Sequence, residues 1–458
     1  MVRHRNTGSQ TPNVAFGDLI ARRNFLKYTA GAALGIVGFP YVVRSTALGG
    51  SGAVAPSERI TLGCVGTGPQ GTYDMRNFLS QKDCRVAAIC DLKAPVREAT
   101  KKLVDEHYQN SDCATYTDFR ELIARRDVDA VLIATCDHWH VLVALEAARA
   151  GKAMYLEKPM GLSLAEDQAL RTACHRYGTI FQFGTQQRSS RDFRFACELV
   201  HNGRIGKLHT INVWSSGSSA GGPTNVVSPP DWIDYDMWLG PAPYHPYTPN
   251  RESNQWWWFI SDYALGFIAG WGVHPLDIAL WGGGDKIQCP LTIEGKGVWP
   301  TPDGVCDTAM NWDLTLQYDS GVTMRYTGDP MPEEWKTRYS RTTSHGTAFE
   351  GTDGWVHVDR EGINAHPKEL LDTQWGPNDT RLYESANHAR NLLDCVRSRK
   401  ETICPIDAAV QADTLCQISD IAIRLEQKLR WDWAKERFVN NDAANRRLVR
   451  AMRSPWQL

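Results

Sequence analysis

Glu157-Lys158-Pro159 and Trp271-Gly272-Val273-His274-Pro275-Leu276-Asp277 are the two stretches whose residue types could move a proton. A lysine beside a redox cofactor can act as general acid or base on an alcohol once neighbouring charge lowers its pKa. Pro159 would stiffen the turn and fix the direction of the Lys158 side chain. His274 can take or give a hydroxyl proton near neutrality. Asp277, three residues on, shares its face of a helix that begins near Pro275. That carboxylate could orient the imidazole or hold a sugar hydroxyl. Each stretch also has an ordinary reading: a lysine in a surface turn, and a buried histidine satisfied by a local carboxylate.

The cofactor that such chemistry needs has its own candidate seat. Gly66-Thr67-Gly68-Pro69-Gln70-Gly71 follows the apolar run 60–65 and precedes a helix expected over 72–79. In a G-x-G-x-x-G turn the first glycine allows the bend, and the second lets the backbone approach a pyrophosphate. The third lets helix pack on strand. Thr67 and Gln70 fill the turn and count among the expected cofactor contacts. The next apolar run, 85–90, ends in Asp91, where a carboxylate can accept hydrogen bonds from an adenosine ribose. It would also repel a 2′-phosphate, so NAD is favoured over NADP, with nearby Lys93 working against that preference.

Thr135-Cys136-Asp137-His138-Trp139-His140 reads as a loop after the strand 130–134, with Thr135, His138 and His140 lining the dinucleotide. No acidic or cysteine cluster at ligand spacing accompanies the two histidines, so no metal is expected. Arg188 and Trp271 complete the expected substrate contacts with Lys158, His274 and Asp277. Trp256-Trp257-Trp258 could floor a sugar site.

Around these residues the chain alternates strand and helix from 57 to about 178, with strands at 60–65, 85–90, 130–134, 153–156 and 179–184. Helices are expected at 95–108, 141–150 and after Ser163, and another opens at 117–122. Strands so separated imply a parallel sheet covered on both faces. From Arg188 the character changes. A helix at 191–202 and a strand at 208–214 lead into a stretch rich in Gly, Ser, Pro and Trp over 215–258. Its length without periodicity suggests functional loops over a cleft. Period-two runs at 291–295, 309–318, 322–326 and 354–358 indicate a second, mainly antiparallel sheet, closed by helices at 386–398 and 407–429. The expected class is α/β: a leader and linker at 1–56, a dinucleotide-binding domain with a parallel sheet at 57–185, and an α/β domain with a large open sheet at 186–458. Its closing helices would pack partly back on the first domain.

A formal net charge of −2, with 22% charged residues, argues against a nucleic-acid or acidic-membrane partner held by bulk electrostatics. Seventeen tryptophans and fifteen tyrosines offer flat faces for sugar rings as well as core. The twelve cysteines form no C-x-x-C pair, and several lie in apolar runs, so they are expected as small core residues. Ala21-Arg22-Arg23-Asn24-Phe25-Leu26-Lys27, followed by an apolar stretch over 28–43, resembles a twin-arginine export signal. Shorter than the ~20 residues of a membrane helix, with Pro40 near its end, it makes a poor span. The expected location is periplasmic, or membrane-anchored if the signal is not cleaved.

Taken in order, the glycine turn, Asp91, the 135–140 stretch, Glu157-Lys158-Pro159 and the 271–277 stretch resemble the Gfo/Idh/MocA family of NAD(P)-dependent oxidoreductases. The similarity runs from about Glu58 to the end, where Arg430-Trp431-Asp432 and Ser454-Pro455-Trp456 are like those of exported bacterial members. The resemblance implies an N-terminal Rossmann domain and a C-terminal α/β domain whose open sheet joins a homodimer or homotetramer. It implies that Lys158 takes part in proton transfer and contacts cofactor and substrate, with Glu157 and Pro159 beside it on the cofactor, that His274 is the catalytic acid/base, and that Asp277 lies in the substrate site. One departure stands out: many members carry an aspartate four residues before the histidine, where this chain has Gly270. The expected activity is oxidation or reduction of a sugar, cyclitol or glycoside hydroxyl with tightly bound NAD. The alternatives are redox-neutral glycoside cleavage through transient oxidation and elimination, and a non-catalytic binding protein on the same fold.

Overall fold

Strand β1 (Ile60–Val65) is buried along nearly its whole length, as a continuous apolar run flanked on both sides by other strands must be. The computed structural model describes residues 54–458, and within it 57–458 form one compact unit. The twin-arginine stretch lies outside the described residues. β1 pairs in parallel with β2 (Cys84–Cys90) and β4 (Ala130–Ile133). With β3 (Ala114–Tyr116), β5 (Ala153–Leu156) and β6 (Phe181–Phe183) they form a six-stranded parallel sheet in the order β3-β2-β1-β4-β5-β6. The strand order reverses between β1 and β4, which opens a crevice at their C-terminal ends.

Five helices connect these strands: α1 (Pro69–Leu79), α2 (Ala94–Tyr108), α3 (Phe119–Ile123), α4 (Asp137–Arg149) and α5 (Leu164–Tyr177). Two differ from the expectation in a way that matters. α1 begins at Pro69 rather than at 72, because a proline in the first turn lacks only an N–H that would have no helical partner. α4 begins at Asp137, so His138 and His140 sit in a helical first turn and not in a loop.

The second sheet has nine strands in the order β13-β12-β11-β7-β10-β9-β8-β14-β15. They are β7 (Leu208–Trp214), β8 (Leu291–Val298), β9 (Asn311–Tyr318), β10 (Thr323–Thr327), β11 (Gly346–Gly351), β12 (Trp355–Asp359), β13 (Gly362–His366), β14 (Leu429–Asp432) and β15 (Arg437–Phe438). Only β7 and β10 pair in parallel; the rest are antiparallel. Helices α6 (Arg191–His201), α9 (Val273–Gly283) and α12 (Ile406–Leu425) pack on this sheet and on one another. The expected closing helix over 407–429 is shorter. It stops at Leu425, Glu426 turns left-handed at φ 48, and Leu429 opens β14 against β8. Of the other helices, α7 (Tyr235–Leu239), α8 (Phe267–Gly270) and α10 (Glu333–Tyr339) are short, α11 (His388–Ser398) packs on α1, and α13 (Asp442–Arg446) lies near the end.

The 215–258 stretch folds around a small apolar cluster that includes Ile233, Trp238, Tyr247 and Trp257, with Leu92 and Cys136 of the first sheet packed against it. Lys93 Nζ donates to the Glu252 carbonyl at 2.7 Å. The long loops thus cover the mouth of the β1–β4 crevice. All twelve cysteines are free, and all but Cys136 and Cys289 are buried. Among the described residues no helix is long and apolar enough to cross a membrane.

The position of α9 depends on a close contact. A Cβ added at Gly282 would lie 2.4 Å from Phe349 Cζ on β11. Gly282→Ala is expected to cost about 1–3 kcal/mol in urea unfolding through overpacking, with part recovered by adding Phe349→Leu. An unchanged unfolding midpoint would show that α9 has slack against the sheet.

Candidate active site

Gly66, Gly68, Gln70 and Gly71 line a cavity in the crevice, together with Asp91, Thr135, His140, Glu157 and Lys158. Met237, Trp238, Asn254, Trp257 and Trp258 of the long loops border it from the second domain. The aromatic run expected under a sugar therefore stands over the dinucleotide turn. Gly66 has φ +78, and a Cβ there would meet Ala134 O at 2.5 Å. At Gly71 a Cβ would come 2.1 Å from Gly66 O, whereas at Gly68 it would meet nothing within 4 Å. Packing thus excludes side chains at the first and third glycines, while the second borders open space at the N-terminus of α1. That is where a pyrophosphate is stabilised by unpaired N–H groups.

The Asp91 carboxylate accepts from the Thr67 N–H at 2.8 Å and the Lys93 N–H at 2.9 Å. Burial raises its pKa, and these hydrogen bonds oppose the rise. Held in this way at the end of β2, it can accept from ribose hydroxyls. Thr67 itself is 1% exposed and does not border the cavity. It positions Asp91. The donor and acceptor set fits a dinucleotide.

Lys158 follows β5, and its Nζ lies 3.7 Å from Glu157 Oε2. The Lys158–Pro159 peptide is cis. Glu157 is almost fully buried and accepts from Gln186 Nε2 at 2.9 Å. Asp74, on the inner face of α1, hydrogen-bonds the Glu157 carboxyl group and accepts from Gln70 Nε2 at 3.0 Å. Burial first, and then the charge of Glu157, push Asp74 up to about 9, so Asp74 keeps its proton at neutral pH. Asp137 also borders the cavity. Burial lifts its pKa well above the carboxylate range against the pull of Lys158, and its Oδ2 has no hydrogen-bond partner. Lys158 is thus set among three carboxyl groups even though position 270 holds glycine. A Cβ at Gly270 would meet only the Phe267 ring, at 3.5 Å.

His274, in the first turn of α9, is 2% exposed and its Nδ1 has no partner. Burial, then the positive charges of Lys158 and Arg360, hold its pKa well below the usual value, so the ring is neutral at pH 7. The Trp271 ring lies 5.7 Å from the His274 ring and 5.1 Å from that of His345.

Three expected placements change. Arg188 Nε and Nη2 donate to the Asp277 carboxylate at 2.8 and 2.6 Å, with side chains 8% and 2% exposed. The two residues expected at the substrate satisfy one another in the core beside α9, and neither borders the cavity. Helical spacing placed Asp277 on the face of His274 correctly, but it carries no information about a partner arriving from residue 188. His138 turns away from the dinucleotide turn: its Nε2 lies 2.9 Å from Trp238 O, and the ring borders a separate cavity with Glu166 and Arg450. His140 does border the dinucleotide cavity, and its Nδ1 lies 2.6 Å from Pro159 O, which ties α4 to the Glu157-Lys158-Pro159 turn. Burial holds both histidines at about 4. Among the described residues no group of His, Cys, Asp or Glu is arranged to hold a metal ion.

Asp74, Asp137 and Gln186 were not assigned roles from sequence. Asp74 left a signal, since it is a carboxylate on a helix face shared with Gly71, Met75 and Phe78. Gln186 left none.

Two variants test these assignments. Folded Asp74 keeps a proton up to about pH 9 that the unfolded chain releases near pH 3.8. That contribution to stability is complete at low pH and is lost as pH rises. The Tm of Asp74→Asn relative to wild type should therefore climb steadily from about pH 5 to about pH 9; a constant offset would refute the proton held on Asp74. Asp277→Asn leaves Arg188 buried and unpaired, and should cost about 3–5 kcal/mol of stability. A variant with wild-type Tm and a raised KM would return Asp277 to the substrate site.

Comparison with known proteins gives the following. A family model described as "Oxidoreductase family, NAD-binding Rossmann fold" matches residues 60–185, and one described as "Oxidoreductase family, C-terminal alpha/beta domain" matches 213–458. A myo-inositol 2-dehydrogenase from Thermotoga maritima is 32% identical over 155 residues, covering 34% of this chain and 44% of that protein. A glycosyl hydrolase family 109 protein from Shewanella sp. strain MR-4 is 27% identical over 203 residues, covering 41% and 44%. The chain thus aligns with less than half the length of these relatives. An aldose-aldose oxidoreductase from Caulobacter crescentus shares the fold with a TM-score of 0.58 at 19% identity, covering 81% of this chain and 99% of that one.

Proposed function

Because the chain belongs to the Gfo/Idh/MocA family of oxidoreductases, with its NAD-binding Rossmann domain, we propose that it oxidises or reduces a hydroxyl of a sugar, cyclitol or glycoside using NAD. The observation that carries this reading is the placement of Lys158, paired with buried Glu157 at 3.7 Å, on the cavity that Gly68 and Asp91 also border. When bound, NAD supplies the two-electron acceptor or donor. The remaining work falls to the chain. Neutral His274, with no partner at Nδ1, takes the hydroxyl proton, and Lys158 donates to the hydroxyl oxygen as negative charge grows there. Glu157 holds the ammonium in place. Asp91 disfavours a 2′-phosphate, which supports NAD over NADP.

The twin arginines at 22 and 23 support export of the folded protein to the periplasm, and a protein that travels folded can carry its cofactor. NAD is then held tightly and restored within each cycle. The open second sheet supports a homodimer or homotetramer. A second reading, redox-neutral glycoside cleavage through transient oxidation and elimination, is supported by the likeness to the glycosyl hydrolase family 109 protein. It would release an aglycone without accumulating NADH and with loss of a substrate C–H deuteron.

Mass spectrometry of the denatured protein should find NAD. His274→Gln and Lys158→Met should retain that NAD and lose about 100-fold or more in turnover across a screen of sugars and glycosides. Full turnover in both would overturn the reading. Since the pKa of His274 is depressed from 6.5, the acid limb of kcat/KM should lie below about pH 6.5.

A further inference from the structure

Arg360 is an exposed cation at the tip of the β12–β13 hairpin, held ready before any ligand arrives. It and Glu361 form a two-residue turn between the paired residues Asp359 and Gly362. The buried Asp359 carboxylate accepts from the N–H groups of Glu361 and Gly362 at 2.8 and 3.1 Å and from Thr343 Oγ1 at 2.8 Å. Gly362 has φ +139, a conformation that side chains other than hydrogen rarely adopt. The backbone under Arg360 is therefore fixed.

Its guanidinium lies 4.8 Å over the ring of Trp271, the residue that also contacts His274. Three other arginines have a carboxylate: Arg325 on β10 pairs with Glu334, Arg338 on α10 with Glu350, and Arg341 in the loop after α10 with Asp359. Arg360 makes no ion pair among the described residues. Across the cleft Arg360 faces the neutral rings of His274 and His345, the Tyr73 hydroxyl, and Glu157, whose own partner is Lys158. Burial raises the pKa of Asp74 and of Asp137 on the far side of Lys158. Of the two basic side chains here, Lys158 has Glu157 at 3.7 Å, whereas Arg360 has only the Trp271 face.

We infer that this site takes a sugar bearing a carboxylate, a uronic acid or its glycoside, and that Arg360 is the residue that selects it. The inference rests on the hydroxyl-oxidoreductase reading of the same cleft. A planar guanidinium stacked on an indole keeps its N–H edge free to grip a carboxylate with two parallel hydrogen bonds, which an ammonium cannot match. The sugar ring then lies between Trp271 and Lys158, with a ring hydroxyl against His274.

Calorimetric titration of the NAD-loaded protein with glucuronate, galacturonate and their methyl glycosides tests this against glucose, galactose and glucose 6-phosphate. The uronates should bind about tenfold or more tightly than the neutral sugars, the effect of one charge-assisted pair. Arg360→Gln should collapse that acid-to-neutral ratio, Arg360→Lys should restore only part of it, and Glu361→Gln, one residue along the same turn, should keep it. Equal affinity for acid and neutral sugars, a ratio that survives Arg360→Gln, or a preference for the phosphate would each overturn the inference. NAD-linked turnover of neutral sugars alongside any of these results would leave the oxidoreductase reading standing. Arg360-dependent uronate binding with no NAD-linked turnover of any uronate would support carboxylate recognition and overturn the oxidoreductase reading.

Discussion

Lys158 stands at the end of a buried strand, and burial dominates the pKa values of the groups around it. Glu157 is its partner, with Oε2 3.7 Å from Nζ. Burial first, with the charge of Glu157 adding to it, raises the pKa of both Asp74 and Asp137. Burial first, and then the charges of Lys158 and Arg360, keep His274 neutral. Burial in a medium of low dielectric makes each of these effects larger than it would be in water. The result is a set of ionisable groups whose pKa values are moved mainly by burial.

Such a set works only if two domains deliver it to one place. The parallel sheet supplies Lys158 and the glycine turn at its switch point, where the backbones of Gly66 and Gly71 approach too closely for any Cβ. The second sheet supplies His274 through α9. That helix is held in place by the Arg188–Asp277 pair at its side and by Gly282 packed on Phe349. Buried ion pairs contribute little net stability but are costly to break, so this one acts as a latch on the position of α9. The long loops close the arrangement, with Trp238, Trp257 and Trp258 over the dinucleotide cavity. Other tryptophans, such as Trp214 and Trp431, are fully buried core. Composition alone could not divide them between these roles.

The two-sheet α/β organisation, the glycine turn, Asp91, Lys158 and His274 were all legible in the amino-acid sequence. Each depends on local rules: apolar runs that match strand periods, glycines at fixed offsets, and a proline at a helix start. The parallel sheet followed from strands spaced by helices. The short strands β3 and β15 and the Gly-bounded β11 carried too little periodic signal to be seen, and Leu429 prolonged an apolar pattern across a chain reversal.

What tertiary structure alone decided was the set of partners. Asp277 and Arg188 are 89 residues apart and neutralise one another, so neither is left for a substrate. Thr67 spends its N–H on Asp91, and His138 and His140, two residues apart on one helical turn, face different cavities. Asp74 and Asp137 supply carboxyl groups around Lys158 that Gly270 does not, and Arg360 reaches Trp271 from a hairpin tip. Sequence specifies which groups can ionise or donate; whether they do is set by burial and by the nearest charge, and both are properties of the folded chain.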